Sequence, residues 1–269
     1  MITAGIDMGS RSIKVVLLED VKGGGAPQQP KYNIKKTFMM MPGDLDADAA
    51  AEIAFGNACK EADVERSEVS RIDATGTGSK QVAFATGRVT EITAGAKGAV
   101  YLFPNARTVV DVGAEEGQAI KTDASGKATD FAGNEKCASG AGSFAESISR
   151  ALQLSLKEFG EASLKSDKTI PMNAQCTVFA ESEVVSLIHA NTTKEDIAKA
   201  VLDAVASRVC AMVRRVGIEK DVVLIGGMVH NIGFVSALKL ALDVDELLLP
   251  DYPEYVAALG CALLAAATD

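Results

Sequence analysis

Two cysteines, Cys137 and Cys176, each stand just ahead of a stretch with helical periodicity. Residues 143–154 follow Asn134-Glu135-Lys136-Cys137-Ala138-Ser139-Gly140-Ala141-Gly142, and Thr177–His189 follows Gln175-Cys176. The start of a helix offers unpaired amide N–H groups and the positive end of the backbone dipole, and both favour an anion. A thiol placed there gives up its proton more readily, and the thiolate serves as nucleophile or metal ligand. Two such positions could direct two helix starts at one negatively charged object. Free cysteine is also among the most buried residue types, and no C-x-x-C pair marks a metal site. Spacing alone leaves both readings open.

Three glycine-rich turns carry a second kind of chemistry. Asp7-Met8-Gly9-Ser10-Arg11-Ser12, with Lys14 two residues on, joins two strand-like runs. Glycine lets the backbone approach a phosphate closely, with amide N–H groups and the Ser10 and Ser12 hydroxyls as donors. An aspartate at a strand end suits Mg2+ held through water. Asp111-Val112-Gly113-Ala114-Glu115-Glu116-Gly117 repeats that logic, and Gly226-Gly227 closes the apolar run Leu224-Ile225 in a way that would let a flat ring lie on the backbone. Each turn alone is ordinary punctuation. Their order at the start, middle and late part of one chain is more specific. No G-x-x-x-x-G-K-[ST] or Rossmann fingerprint occurs.

The elements that must hold these turns alternate strand and helix. Residues 2–7 and 12–18 read as a hairpin, 32–40 as a third strand, 46–62 as a helix, 69–75 as a strand and 91–102 as a helix. After Pro104 the pattern begins again: a strand at 108–113, a hairpin of 117–122 with 127–132, and the two cysteine-led helices. A long helix at 193–216, a buried strand at 222–225, a helix at 232–242, a short strand at 246–249 and a last helix at 255–267 complete it. The expected fold is a duplicated α/β architecture with a cleft between two halves. Residues 1–106, completed by 250–269, would form the first, and 107–249 the second, carrying the cysteines.

Composition narrows the function classes. With 269 residues, 48% hydrophobic and net charge −9, the chain has ample core and lacks the basic face of a nucleic-acid binder. No signal peptide or membrane-length apolar run is read, which points to a cytoplasmic protein with its five cysteines reduced. Cys59, Cys210 and Cys261 lie in apolar helical patterns suited to packing. His189 and His230 do not form a ligand pair, Met39-Met40-Met41 reads as a strand's packing edge, and Lys35-Lys36 as a solvated face.

The three turns resemble the phosphate-1, phosphate-2 and adenosine elements of the ribonuclease-H-like actin/Hsp70/acetate and sugar kinase superfamily. Residues 134–144 and 175–184, with Ala206-Ser207-Arg208-Val209 and Val216-Gly217-Ile218, narrow the resemblance over nearly the whole chain. It is to the BadF/BadG/BcrA/BcrD-type ATPase family, which includes activators of 2-hydroxyacyl-CoA dehydratases and ATP-binding subunits of benzoyl-CoA reductase. The resemblance implies ATP in the cleft and Mg2+ near Asp7 and Asp111. It implies phosphate contacts from Gly9, Ser10, Arg11, Ser12, Lys14 and Gly113, and adenine on Gly226 and Gly227. It also implies that Cys137 and Cys176 are ligands of a [4Fe-4S] cluster. A cubane cluster wants four thiolates, so the other two would come from a homologous ATPase subunit across a dimer interface.

The dehydratase activators typically read Asp-Ile-Gly-Gly-Gln-Asp at phosphate-2. The Ala114-Glu115-Glu116 version here looks more like the smaller benzoyl-CoA reductase ATPase subunit. The expectation is therefore an ATP-hydrolysing subunit of benzoyl-CoA reductase. It would take electrons from reduced ferredoxin and pass them to benzoyl-CoA-binding subunits, with no nucleic-acid or membrane partner. Alternatives are a dehydratase activator, a small-molecule kinase without a cluster, and a non-catalytic nucleotide sensor.

Overall fold

Alternation along the first strand sets the layers of the N-terminal unit. In β1 (Ile2–Met8), Ala4, Ile6 and Met8 join Ile13, Val15 and Leu17 of β2 (Ile13–Asp20) in a core with Phe55 and neighbouring alanines of α1 (Ala47–Glu61). Thr3, Gly5 and Asp7 therefore project to the other face. There α8 (Val256–Ala266) packs, and the Thr3 hydroxyl donates to the Ala262 carbonyl at 3.0 Å. Gly5 has to be glycine, because a Cβ would be driven into the backbone of α8. The computed structural model describes residues 1–21, 31–133, 142–172 and 177–268, with side chains from 179 onward in the last stretch.

The sheet of this unit has the order β3-β2-β1-β4-β5, with β3 at Tyr32–Met40, β4 at Val69–Thr75 and β5 at Gly87–Arg88. β1 runs antiparallel to β2 and parallel to β4. α2 (Glu91–Leu102), capped by Thr90, packs on α8 where Gly98 and Gly260 let the two backbones touch. The second sheet has the order β8-β7-β6-β9, with β6 at Thr108–Val112, β7 at Gly117–Thr122, β8 at Ala128–Gly133 and β9 at Val222–Ile225. β6 runs antiparallel to β7 and parallel to β9. Its core gathers Val110, Val112 and Leu224 with Phe144 of α3 (Gly142–Ala151), Phe159 of α4 (Leu156–Ser163), Leu202 of α6 (Lys194–Val216) and Phe234 of α7 (Ile232–Leu242). α5 (Thr177–His189) contributes Ala180 and Val184 to it. The chain divides into two compact units, 1–105 with 122–128 and 254–269, and 106–121 with 129–253. Among the described residues no helix is long and apolar enough to cross a membrane.

Two expectations change. The helical pattern at 143–154 breaks at Ala151, where Gln153 turns to φ +58°, and α4 starts separately on a capping box between Ser155 and Glu158. The strand expected at 246–249 shrinks to one bridge, Leu248 to Val223, because Pro250 has no N–H with which to extend the ladder. Lys35 and Lys36 lie on the outer strand β3, where they pair with Glu19 and Glu61 at the surface.

The longest helix, α6, is anchored at its start. Asp196 is buried and accepts from Lys168 Nζ at 2.6 Å and from the Ser166 hydroxyl at 2.7 Å. The Lys168 bond first, then those of Ser166 and Thr193, lower its pKa to about 2. A carboxylate depressed in the folded state contributes stability above its ordinary pKa, and the contribution fades as pH falls toward the folded value. The melting temperature of the native chain should therefore fall more steeply between the ordinary 3.8 and about 2 than that of Asp196→Asn. Scanning calorimetry across that range checks this.

Candidate functional site

The N-terminal turn is built on paired strand ends. Asp7 lies opposite Lys14 on β2 and opposite Thr75 on β4. Lys14 Nζ donates to Asp7 Oδ2 at 3.1 Å, with both side chains largely buried. The Gly9 amide donates to the Ser12 carbonyl at 3.2 Å and closes a four-residue turn, which leaves Ser10 and Arg11 exposed at its tip. Gly76 follows β4 at φ +91°, and a Cβ there would collide with the Met8 carbonyl and lie 2.7 Å from Asp7 Oδ1. The Gly78 amide then donates to Met8 O at 3.0 Å. One Asp7 oxygen thus faces a lysine and the other faces glycine backbone. The result is a small cradle of cation, hydroxyls and close backbone, suited to a phosphate.

The second unit repeats the backbone of the cradle position for position. Asp111 lies opposite Gln118 on β7 and Ile225 on β9. The Gly113 amide donates to Glu116 O at 2.9 Å, closing a turn of the same length. Gly226 sits at φ +89°, and a Cβ would fall 2.6 Å from Asp111 Oδ1 and 2.5 Å from Val112 O. Gly227 opens the single 3₁₀ turn Gly227–His230, with open space where its Cβ would go. The difference between the turns is charge. Lys14 is replaced by neutral Gln118, and Ser10-Arg11-Ser12 by Ala114-Glu115-Glu116. An acidic turn of this kind suits a hydrated divalent cation better than a phosphate.

The second cradle also holds a helix. The amides of Gly142 and Ser143, at the start of α3, donate to the carbonyls of Gly113 and Ala114 at 3.0 and 2.8 Å. A Cβ on Gly142 would be 3.2 Å from Gly113 O and 3.0 Å from Met228 Sδ, so glycine lets α3 start close to both turns without displacing either neighbour. Farther along, the Ser147 hydroxyl donates to Glu181 of α5 at 2.7 Å.

Cys137 and Cys176 lie outside the described residues. α3 begins five positions after the first, and α5 immediately after the second. The other three cysteines serve packing: each is buried, Cys210 donates its S–H to Ala241 O at 3.0 Å, and burial raises the thiol pKa of Cys59 and Cys261. They are therefore poor thiolate ligands, which leaves Cys137 and Cys176 as the candidate pair. Among the described residues no group of three or more His, Cys, Asp or Glu is arranged to hold a metal ion.

The structure brings Asp7, Gly9, Ser10, Arg11, Ser12 and Lys14 together in one unit, and Asp111, Gly113, Gly226 and Gly227 in the other. Sequence reasoning gave no site role to Gly76, Gly78 or Thr75. Their signal is Gly-x-Gly directly after the strand Val69–Thr75.

Comparison with known proteins sharpens this. The profile of the BadF/BadG/BcrA/BcrD ATPase family matches residues 4–265. The chain belongs to this ATPase family. It is 37% identical to the activator of lactoyl-CoA dehydratase of Anaerotignum propionicum, over 98% of this chain and 97% of the relative. It is 33% identical to one of the subunits of benzoyl-CoA reductase from Thauera aromatica, over 97% of this chain and 92% of that one. Among solved structures, the activator of 2-hydroxyisocaproyl-CoA dehydratase from Clostridium difficile with bound ADPNP superposes with TM-score 0.86 at 29% identity, covering 98% of this chain and 94% of that one. A ROK hexokinase of Thermus thermophilus, at 15% identity and TM-score 0.54, shares the fold alone. The fold is that of the actin/Hsp70/sugar-kinase ATPases.

Gly226 and Gly227 separate cradle strain from mere proximity. Gly226→Ala should lower stability by about 1–3 kcal/mol, because φ is positive and the new methyl meets backbone. Gly227→Ala should leave it nearly unchanged. Urea unfolding of both variants checks the contrast.

Proposed function

We propose that the chain is an ATP-hydrolysing electron activator for a partner enzyme acting on an acyl-CoA thioester. One observation carries the reading: the helix that follows Cys137 begins on the carbonyls of the Asp111 turn. A nucleotide sensed at Gly113 would therefore act directly on the segment that holds a candidate cluster ligand. The Ser147–Glu181 bond extends that link to α5, which follows Cys176.

The residues present fit the nucleotide on structural grounds. Two left-handed glycines each leave the space of a missing Cβ beside an aspartate, which is the close approach a phosphate or its hydrated cation needs. Gly9, Ser10, Arg11, Ser12 and Lys14 would hold phosphate, Asp7 and Asp111 would orient the waters of Mg2+, and Gly226 and Gly227 would carry adenine. For iron the donor chemistry fits in number: two thiols remain once the three packing cysteines are set aside, and two identical or homologous chains would supply four. When bound, such a cluster stores one electron at low potential. Lys14 would leave Asp7 for the γ-phosphate, and Gly113, by following the hydrated cation that the phosphate carries, would draw on the first amides of α3.

The partner can be read at finer grain in two ways. The turn Ala114-Glu115-Glu116 supports a benzoyl-CoA reductase subunit that takes electrons from reduced ferredoxin and hands them to ring-reducing chains. The names of relatives at 37, 31 and 34% identity, all dehydratase activators, support a separable activator of a 2-hydroxyacyl-CoA dehydratase. The first reading predicts a stable multi-subunit complex that turns over ATP with every electron pair. The second predicts a component needed only in sub-stoichiometric amounts.

Protein purified without oxygen should contain about four irons per pair of chains. Cys137→Ser and Cys176→Ser should each lose the iron and the brown colour while keeping nucleotide binding. Iron and sulphide analysis beside calorimetric nucleotide titration decides it. Iron-free native protein that phosphorylates a sugar or acid would instead make this a small-molecule kinase.

A further inference from the structure

The side chain of Thr75 is fully buried at the end of β4, and its hydroxyl oxygen has no hydrogen-bond partner among the described residues. Such a group is costly to bury, so it calls for a reason. Thr75 is the residue directly opposite Asp7 in the parallel ladder. Ile72 and Ala74 point into the α1 core, so Thr75 points to the same side of the sheet as Asp7. The following residue, Gly76, backs onto Asp7 Oδ1, while Oδ2 is taken by Lys14. The equivalent position in the second unit is Ile225, opposite Asp111, which has no hydroxyl. The two cradles share their strand register, their glycine-closed turn and their left-handed glycine, so the hydroxyl is not a requirement of the cradle as a fold element.

We propose that Thr75 is a positioning residue for Asp7: its hydroxyl donates to the Asp7 carboxylate when Lys14 leaves that carboxylate for the nucleotide phosphate. Asp7 then keeps its orientation through turnover although its cationic partner has moved. In the resting state the lysine satisfies Asp7 and the threonine waits. The inference rests on the ATPase reading above.

The test compares Thr75→Val and Thr75→Ser with the native protein. Steady-state ATP hydrolysis is measured with magnesium present, and melting temperature without nucleotide. Valine keeps the shape and removes only the hydroxyl. It should lower kcat by about ten- to a hundred-fold, the usual size of a lost hydrogen bond to a charged group. KM for ATP should change little, and nucleotide-free melting should stay equal to or above native, since an unpaired buried hydroxyl is gone. Serine should restore most of kcat. Native-like kcat in Thr75→Val, or equal loss of kcat in both variants, overturns the proposal while leaving the ATPase reading intact. A large drop in the nucleotide-free melting temperature of Thr75→Val also overturns it, because the role would then be structural. A native protein that neither hydrolyses ATP nor is stabilised by it overturns both.

Discussion

A carboxylate at the end of one strand is pressed against a left-handed glycine that follows its parallel neighbour. This contact occurs twice, Asp7 against Gly76 and Asp111 against Gly226, and the candidate chemistry depends on it. Any side chain on either glycine would meet a backbone carbonyl and the aspartate itself. The parallel strands can converge with their C-terminal ends together only because that space is empty. In open α/β sheets this is the end where ligands bind. The hairpin turn that follows each aspartate then supplies amides at the same edge, closed in both cases by a glycine amide bonded three residues on.

Given the same scaffold twice, small substitutions divide the labour. Lys14 and two serines make the first turn a place for negative charge, whereas Gln118 and two glutamates make the second a place for a hydrated cation. The second turn alone passes its carbonyls on to a helix, since Gly142 and Ser143 hang α3 from Gly113 and Ala114. The turn that would face a nucleotide therefore has the carbonyls of Gly113 and Ala114 committed to the element that follows Cys137. Pulling on one side of a four-residue turn has to be felt on the other, because the turn is short and its backbone groups are already paired.

Much of this was legible in the sequence where the signal was local. Apolar periodicity gave Val69–Thr75, Glu91–Leu102, Thr177–His189, Val222–Ile225 and Ile232–Leu242 with the ends the structure has. The turns at Asp7 and Asp111 announced themselves through Asp-x-Gly between strand-like runs. The duplication was visible only as an echo of element order. Its proof is a register, Asp7 to Thr75 and Asp111 to Ile225, between residues far apart in sequence whose side chains do not match. For the same reason Thr75 read only as the end of a strand, and Gly76 carried no role. The unbroken apolar pattern at 143–154 hid the boundary between α3 and α4, which a single left-handed residue imposes. The membership in an ATPase family, by contrast, was carried by motifs spread over nearly the whole chain, and the family profile covers residues 4–265.

The link from nucleotide turn to cysteine-led helix is what joins the two kinds of chemistry in one chain. Hydrogen exchange at the amides of Gly113, Gly142 and Ser143, with and without a non-hydrolysable ATP analogue and magnesium, measures it directly. The nucleotide is expected to change exchange at Gly142 and Ser143 together with Gly113, as one connected unit. Changes confined to residues 9–14, with the first turn of α3 exchanging as before, would contradict that link.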